Sequence, residues 1–142
     1  MPGLVEVLGG RKVIASEPTT PYEWVSEVES GMPVTAALSF KEAVRLTNEE
    51  LAALIGVSIR TLSRWQPDIS RLDPVNGDRL LRAARLFSIA SEVLEDADAA
   101  ARWLKSPQRG LAGAIPLELA RSDVGARLVE TLLGRMEHGV YT

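Results

Sequence analysis

The chain has no cysteine and a single histidine, His138. The first absence excludes disulfides, a thiol nucleophile and any Cys-ligated zinc or iron–sulfur centre. The second removes any histidine pair for metal ligation or proton relay. No Walker-type phosphate loop and no dinucleotide-binding glycine fingerprint is present. Gly110 and Gly113 stand too far apart to cradle a phosphate, and the carboxylates are scattered over helix faces. No enzyme, cofactor or metal site is expected. No run approaches the about 18 consecutive apolar residues of a membrane span. The opening MPGLVEVLGGRKVI lacks a basic start before an apolar core, so no signal peptide is expected. With no cysteine to protect, a reducing cytoplasm fits.

At 142 residues the chain has the length of one domain or two small helical ones, and its ordinary apolar share is enough to bury a core. A net charge of −3 argues against coating nucleic acid by charge alone. The distribution is uneven: residues 1–57 carry −4, residues 58–85 carry +3 and residues 86–142 carry −2. The positive segment is where phosphate contacts would be needed if the chain binds DNA.

That segment begins inside TNEELAALIGVSIRTLSRW, residues 47–65. Thr47 and Glu50 have the spacing of a capping box. Leu51, Leu54 and Ile55 follow as one apolar stripe. Gly56 stops the first helix, Val57 packs at the corner and Ser58 caps a second helix. Ile59 and Leu62 are expected to face the first helix, leaving Arg60, Thr61, Ser63 and Arg64 outward. This is the layout of a helix-turn-helix, whose second helix lies in the DNA major groove. Arg offers bidentate donors to guanine; Ser and Thr reach bases or phosphates. The alternative is two core helices with a solvated basic face. Trp65 is expected to pack against the next segment.

Residues 1–18 hold Leu4, Val5, Val7 and Leu8, then two glycines and a basic pair, and read as a frayed arm. Pro21 opens a helix with Trp24, Val25 and Val28 on one face, ended by Gly31. Pro33 starts another, with Val34, Ala37, Leu38 and Ala43 as core. Residues 66–78, with Pro67 and Pro74, read as a loop, in which Arg71 is a candidate phosphate contact. The longest helix is expected from about Gly77 to Leu94. Only Arg82, Arg85 and Glu92 interrupt its apolar surface, so it should be a central strut buried on more than one side. Asp96 caps a short helix, Pro116 starts a turn of helix, and Ser122 caps the last one. Its apolar line is Val124, Leu128, Leu132 and Met136. Gly125 in its first turn points to a close backbone approach.

The C-terminal third, ARWLKSPQRGLAGAIPLELARSDVGARLVETLLGRMEHGVYT, closely resembles the toxin-binding domain of the Xre/MbcA/ParS antitoxin family. The matching pieces include Trp103-Leu104, Ser106-Pro107, Pro116-Leu117-Glu118-Leu119, Gly125-Ala126-Arg127, Gly134-Arg135 and Glu137-His138-Gly139. ELAALIGVSIRTLSRW looks like the family's helix-turn-helix and RLLRAARLFSIASEVL like its linking helix. The resemblance implies an all-α fold: an N-terminal arm (1–18), a helix-turn-helix region (19–75), a linking and dimerising helix (76–95) and a toxin-binding domain (96–142). It further implies a type II antitoxin that forms a homodimer. Its partner would be a RES-domain toxin that destroys NAD, whose pocket the C-terminal end occludes, and the complex would bind the operator DNA of its own operon. Carried onto this sequence, Arg135, Glu137, His138, Gly139, Val140, Tyr141 and Thr142 become candidate toxin contacts. Ser58, Arg60, Thr61, Ser63 and Arg64 become candidate operator contacts. Two departures stand out: Ala112 and Ala114 replace a Gly and a basic residue common in relatives, and the recognition helix carries Trp65 where many are more basic. A stand-alone helix-turn-helix regulator whose C-terminal helices only dimerise is the alternative.

Overall fold

The computed structural model describes residues 3–139, and these are helical throughout apart from turns and one isolated antiparallel bridge between Pro33 and Arg71. The helices are α1 (Leu4–Val7), α2 (Pro21–Ser30), α3 (Val34–Val44), α4 (Asn48–Ile55), α5 (Ile59–Ser63), α6 (Pro74–Leu94), α7 (Ala97–Leu104), α8 (Pro116–Leu119) and α9 (Asp123–Glu137), with a 3-10 turn at Arg109–Leu111.

The organiser is α6. Its buried residues, among them Leu80, Ala83, Ala84, Leu86, Phe87 and Ala90, cover most of its circumference. It packs against α1, α2, α3, α4, α7 and α9, as the wide apolar surface of this helix requires. The helix starts earlier than expected, at Pro74 rather than Gly77. The ring of Pro74 sits at the first helical position, where the missing N–H would be unpaired anyway, so it opens the helix instead of forbidding it.

Three other expectations are corrected. The N-terminal segment is no frayed arm: Leu8 and Ile14 are fully buried and Val7 nearly so. These side chains close the core beside α3 and α6. In α2, Trp24 and Val28 pack against the core, but Val25 is 53% exposed, because α2 leans mainly on α6. In α3, Ala43 packs on the edge of the core but Leu38 is only half-buried, whereas Phe40 is wholly enclosed. Phe40 completes the stripe of Val34, Ala37 and Val44 and sets its ring edge-on to Phe87, 6.3 Å between centroids. Edge-to-face pairing of this kind is favoured by the ring quadrupole.

Local signals place most helix ends. Thr20 and Glu23 form a reciprocal capping box at α2, Asp96 Oδ2 accepts from the backbone N–H of Ala99 at 3.1 Å, and Ser122 Oγ accepts from that of Gly125 at 3.0 Å. The hydrogen bonds that Glu23 accepts from Thr19 and Thr20 hold its carboxyl below the ordinary value.

Truncating Leu8 to Ala should cost about 2–5 kcal/mol, the range for emptying a buried leucine site. Chemical denaturation of the full chain checks this. An unchanged midpoint would return the first residues to the status of a loose arm.

Candidate functional site

Two surfaces carry the residues singled out by sequence. The first is built on α4 and α5. Thr47 Oγ1 accepts from the backbone N–H of Glu50 at 3.1 Å, while Glu50 Oε1 accepts from that of Thr47 at 2.8 Å. Leu51, Ala52, Leu54 and Ile55 are buried. Gly56 takes the left-handed conformation, φ 84°, which only glycine adopts without strain. The chain turns there and α5 begins, capped by Ser58 Oγ, which accepts from the backbone N–H of Thr61 at 3.0 Å.

On α5, Arg60, Thr61, Ser63 and Arg64 are all exposed, together with the cap Ser58. The hydroxyls are not idle: Ser58 Oγ donates to Thr61 Oγ1 at 3.0 Å and Ser63 Oγ donates to the carbonyl of Arg60 at 2.8 Å. The guanidinium groups of Arg60 and Arg64 enter no salt bridge among the described residues. Ile59, expected to face α4, is instead 45% exposed; Leu62 and Trp65 do pack on the core. Ile59 occupies the first position of a helix barely one and a half turns long, and its side chain joins the outward face. Arg71, a candidate phosphate contact by sequence, is an exposed residue folded back onto the end of α2. Its guanidinium donates to the carbonyl of Gly31 at 3.0 Å. The loop around it is pinned by the amide of Leu72 donating to Met32 O at 2.7 Å and that of Val34 donating to Ser70 O at 3.1 Å.

The second surface is the C-terminal helix and the turns that carry it. Gly125 is buried, and a Cβ there would run into the carbonyl of Leu119, which bears out the close approach read from sequence. The loop from Ser106 to Ile115 is closed by Gln108, whose side-chain amide donates to the carbonyls of Trp103 at 2.9 Å and Ser106 at 3.2 Å. Ala112 stands in the left-handed region, φ 56°, where a glycine would rest without strain. Along α9 the expected apolar line divides. Leu132 is buried and Met136 packs on the core, but Val124 is 73% and Leu128 53% exposed. The core side is made instead by Gly125, Ala126, Val129, Leu132 and Leu133. Arg135, Glu137, His138 and Gly139 are exposed at the end of the helix, and Gly139 leaves it with φ 75°. Val140, Tyr141 and Thr142 lie outside the described residues.

A cavity of about 1090 Å³ lies between α2, α6 and α9, with Trp24, Val28 and Leu81 on its apolar side. Its arginines are paired with acids: Arg82 with Asp78 at 2.9 Å, Arg85 with Glu130 at 2.8 Å and Arg127 with Asp123 at 3.0 Å. Among the described residues no cluster of His, Asp or Glu is arranged to hold a metal, and no helix is long and apolar enough to cross a membrane.

Comparison with known proteins covers both surfaces. Residues 23–85 match the family model of the antitoxin Xre-like helix-turn-helix domain, and residues 90–139 that of the antitoxin Xre/MbcA/ParS C-terminal toxin-binding domain. The mycobacterial cidal antitoxin MbcA of Mycobacterium tuberculosis is 31% identical over 100 residues, 70% of this chain and 87% of the relative. The chain belongs to the Xre/MbcA/ParS antitoxin family. Antitoxin Xre of Photorhabdus laumondii is 29% identical over 114 residues, 80% of this chain and 77% of the relative. A chain in the crystal structure of the M. tuberculosis MbcT–MbcA toxin–antitoxin complex superposes with a TM-score of 0.57 at 26% identity, covering 88% of this chain and all of that one.

In this family member α6 is tied both to α4, within the first matched segment, and to the second matched segment through side-chain hydrogen bonds that sequence reading left unassigned. Asn76 Nδ2 donates to the carbonyl of Ile55 at 2.8 Å. Arg79 donates from Nε to Leu54 O at 2.8 Å and from Nη2 to Ala53 O at 3.0 Å. These are the last carbonyls of α4, which have no partner within their own helix, and a cation there also suits the helix dipole. Burial, with the charges of Arg82 and Arg121 nearby, pushes the Arg79 guanidinium below its ordinary value. One turn further on, Arg82 Nη1 donates to the carbonyl of Ala120 at 3.4 Å, and Arg85 reaches Glu130 of α9. No local pattern marks such donors, since their acceptors lie more than twenty residues away.

Replacing Arg79 with Met keeps the aliphatic stem and removes the donors. It should lower stability by about 1.5–3 kcal/mol, the scale of hydrogen bonds to charged groups. Amide hydrogen exchange should quicken first in α4 and α5.

Proposed function

We propose that the chain is a type II antitoxin that neutralises a RES-type, NAD-degrading toxin by occluding its active site with the C-terminal tail, and that it represses its own operon through the helix-turn-helix. The observation that carries this reading is the pairing, on one frame, of a capped helix-turn-helix whose Arg60 and Arg64 enter no salt bridge among the described residues with a toxin-binding domain whose last helix ends exposed at Glu137–Gly139. The solved relative MbcA, crystallised with the toxin MbcT, supports a toxin as partner.

Inhibition by this route needs no catalysis, and the chain acts as a stoichiometric plug rather than an enzyme. Arg135, Glu137 and His138 meet the rim of the toxin pocket. Beyond Gly139, Val140 and Tyr141 bring an apolar and an aromatic group of the kind a nucleotide pocket accepts, with Thr142 following. On the other surface Arg60 and Arg64 read guanine edges, and Ser58, Thr61 and Ser63 contact phosphates or bases. Ile59 offers an apolar contact for a thymine methyl. A homodimer presents two such helices to one operator, and linking two weak half-sites multiplies affinity through effective concentration. The cytoplasm is where such a toxin and operator would be met.

Deleting residues 137–142 should abolish neutralisation of the co-encoded toxin, scored as NAD hydrolysis in a purified mixture, while operator binding persists. Retained neutralisation would remove the tail from the inhibitory mechanism, and no neutralisation by the intact chain would favour a regulator whose C-terminal helices only dimerise. Changing Arg60 or Arg64 to Ala should weaken operator binding roughly 10–100-fold each, measured by mobility shift at fixed salt, with toxin inhibition untouched. Operator binding that survives both changes would remove these arginines from DNA reading.

A further inference from the structure

The first turns of α6 and the turn that leads into α9 enclose a cleft of about 390 Å³ in which cations outnumber acids. Arg79 and Arg82 come from α6, and Arg121 from the turn between α8 and α9. The two carboxylates of the cleft are already engaged, Asp78 with Arg82 at 2.9 Å and Asp123 with Arg127 at 3.0 Å. Neither Arg79 nor Arg121 enters a salt bridge among the described residues. Burial, and then the charges of Arg82 and Arg121, hold the Arg79 guanidinium below its ordinary value, so the three cations stand close enough to repel one another. A concave wall of one sign focuses its field and draws in the opposite charge.

The three guanidinium groups are not equivalent. Arg79 spends Nε and Nη2 on the carbonyls of Leu54 and Ala53, and Arg82 spends Nη1 on that of Ala120 and Nη2 on Asp78. Both are held in place and act as fixed positive charge. Arg121 is exposed, and its planar fork can give a phosphate two parallel hydrogen bonds. The cleft also has an apolar part, Pro74 and Val75, and Val75 is 72% exposed.

We propose that this cleft binds a small organic phosphate, with Arg121 as the hydrogen-bond donor, Arg79 and Arg82 as fixed charge, and Pro74 and Val75 against the organic part. Size and charge select a small molecule over the backbone of a nucleic acid. A volume of about 390 Å³ lies at the lower end of the range of small-molecule pockets. Asp78 and Asp123, tolerable beside one phosphate, would face the neighbouring phosphates of a polymer. Arg79 and Arg82 belong to the segment matched by the helix-turn-helix model and Arg121 to that matched by the toxin-binding model, so a bound phosphate joins the two. The site does not depend on the antitoxin reading.

The test titrates the full chain with phenyl phosphate, inorganic phosphate and phenol, followed by NMR of the arginine side-chain nitrogens and by calorimetry. Phenyl phosphate should bind and shift Arg121 Nε. It should bind roughly 10-fold tighter than inorganic phosphate, because its ring covers Val75, and phenol should not bind. Arg121→Ala should keep the thermal midpoint of the free chain, since the residue is exposed, and weaken phenyl phosphate binding roughly 10–100-fold, the scale of hydrogen bonds to a charged group. Arg109→Ala, which removes an exposed arginine outside the cleft, should leave binding unchanged. A titration that moves no resonance of Arg79, Arg82 or Arg121 overturns the proposal. Equal weakening by Arg121→Ala and Arg109→Ala would reduce the effect to net charge and overturn it too. Loss of operator binding in Arg121→Ala, with phenyl phosphate left unbound by the wild-type chain, would give the cleft to a nucleic-acid backbone and likewise overturn it.

Discussion

A helix that is apolar over most of its circumference is unstable in water until other helices cover it on several sides. That requirement, imposed by α6, governs the arrangement of the chain. Leu80, Ala83, Ala84, Leu86 and Phe87 are buried, and the neighbours that bury them come from both ends of the sequence. Because α1, α3 and α4 share that helix with α7 and α9, the segment matched by the helix-turn-helix model and the segment matched by the toxin-binding model do not have independent cores. The polar contacts follow the same plan. Asn76 and Arg79 hold the end of α4, while Arg82 and Arg85 hold α8 and α9.

The candidate surfaces differ in how they are made. The α4–α5 pair is a product of local chemistry: a capping box, a left-handed glycine and a serine cap define a short helix whose outward side chains are free of the core. The C-terminal helix depends on long-range packing. Gly125 admits the carbonyl of Leu119, and with α9 packed on α6, Ala126, Val129 and Leu133 face inward while Val124 and Leu128 stay in solvent. One surface is therefore set by residues within about four positions of each other, the other by the docking of separate elements.

This difference explains how much of the structure was legible in the sequence. The all-helical class, the family, the turn between α4 and α5 and the caps at Thr47, Ser58, Asp96 and Ser122 follow from signals confined to a few residues. The central strut was legible because its apolar surface is too wide for a single neighbour. What escaped was whatever depends on a distant partner. Leu8 and Ile14 show no periodicity around their glycine turn, so their burial could not be seen without α3 and α6. Periodicity marked Val124 and Leu128 as apolar positions on α9 but carried no information on whether any element lies over them. The sequence marks neither the exposed Arg71 nor the half-buried Arg79 as a donor to carbonyls 40 and 25 residues away. The proposed contacts at Val140, Tyr141 and Thr142 lie outside the described residues, so only Arg135 to Gly139 of the tail are placed.

The bridge between Pro33 and Arg71 has a wider consequence. The short helix α5 is anchored ahead of its start by the turn at Gly56 and behind its end by the amides of Leu72 and Val34. The chain is thus tied to other elements on both sides of α5, which leaves a ligand at that face less backbone freedom to order.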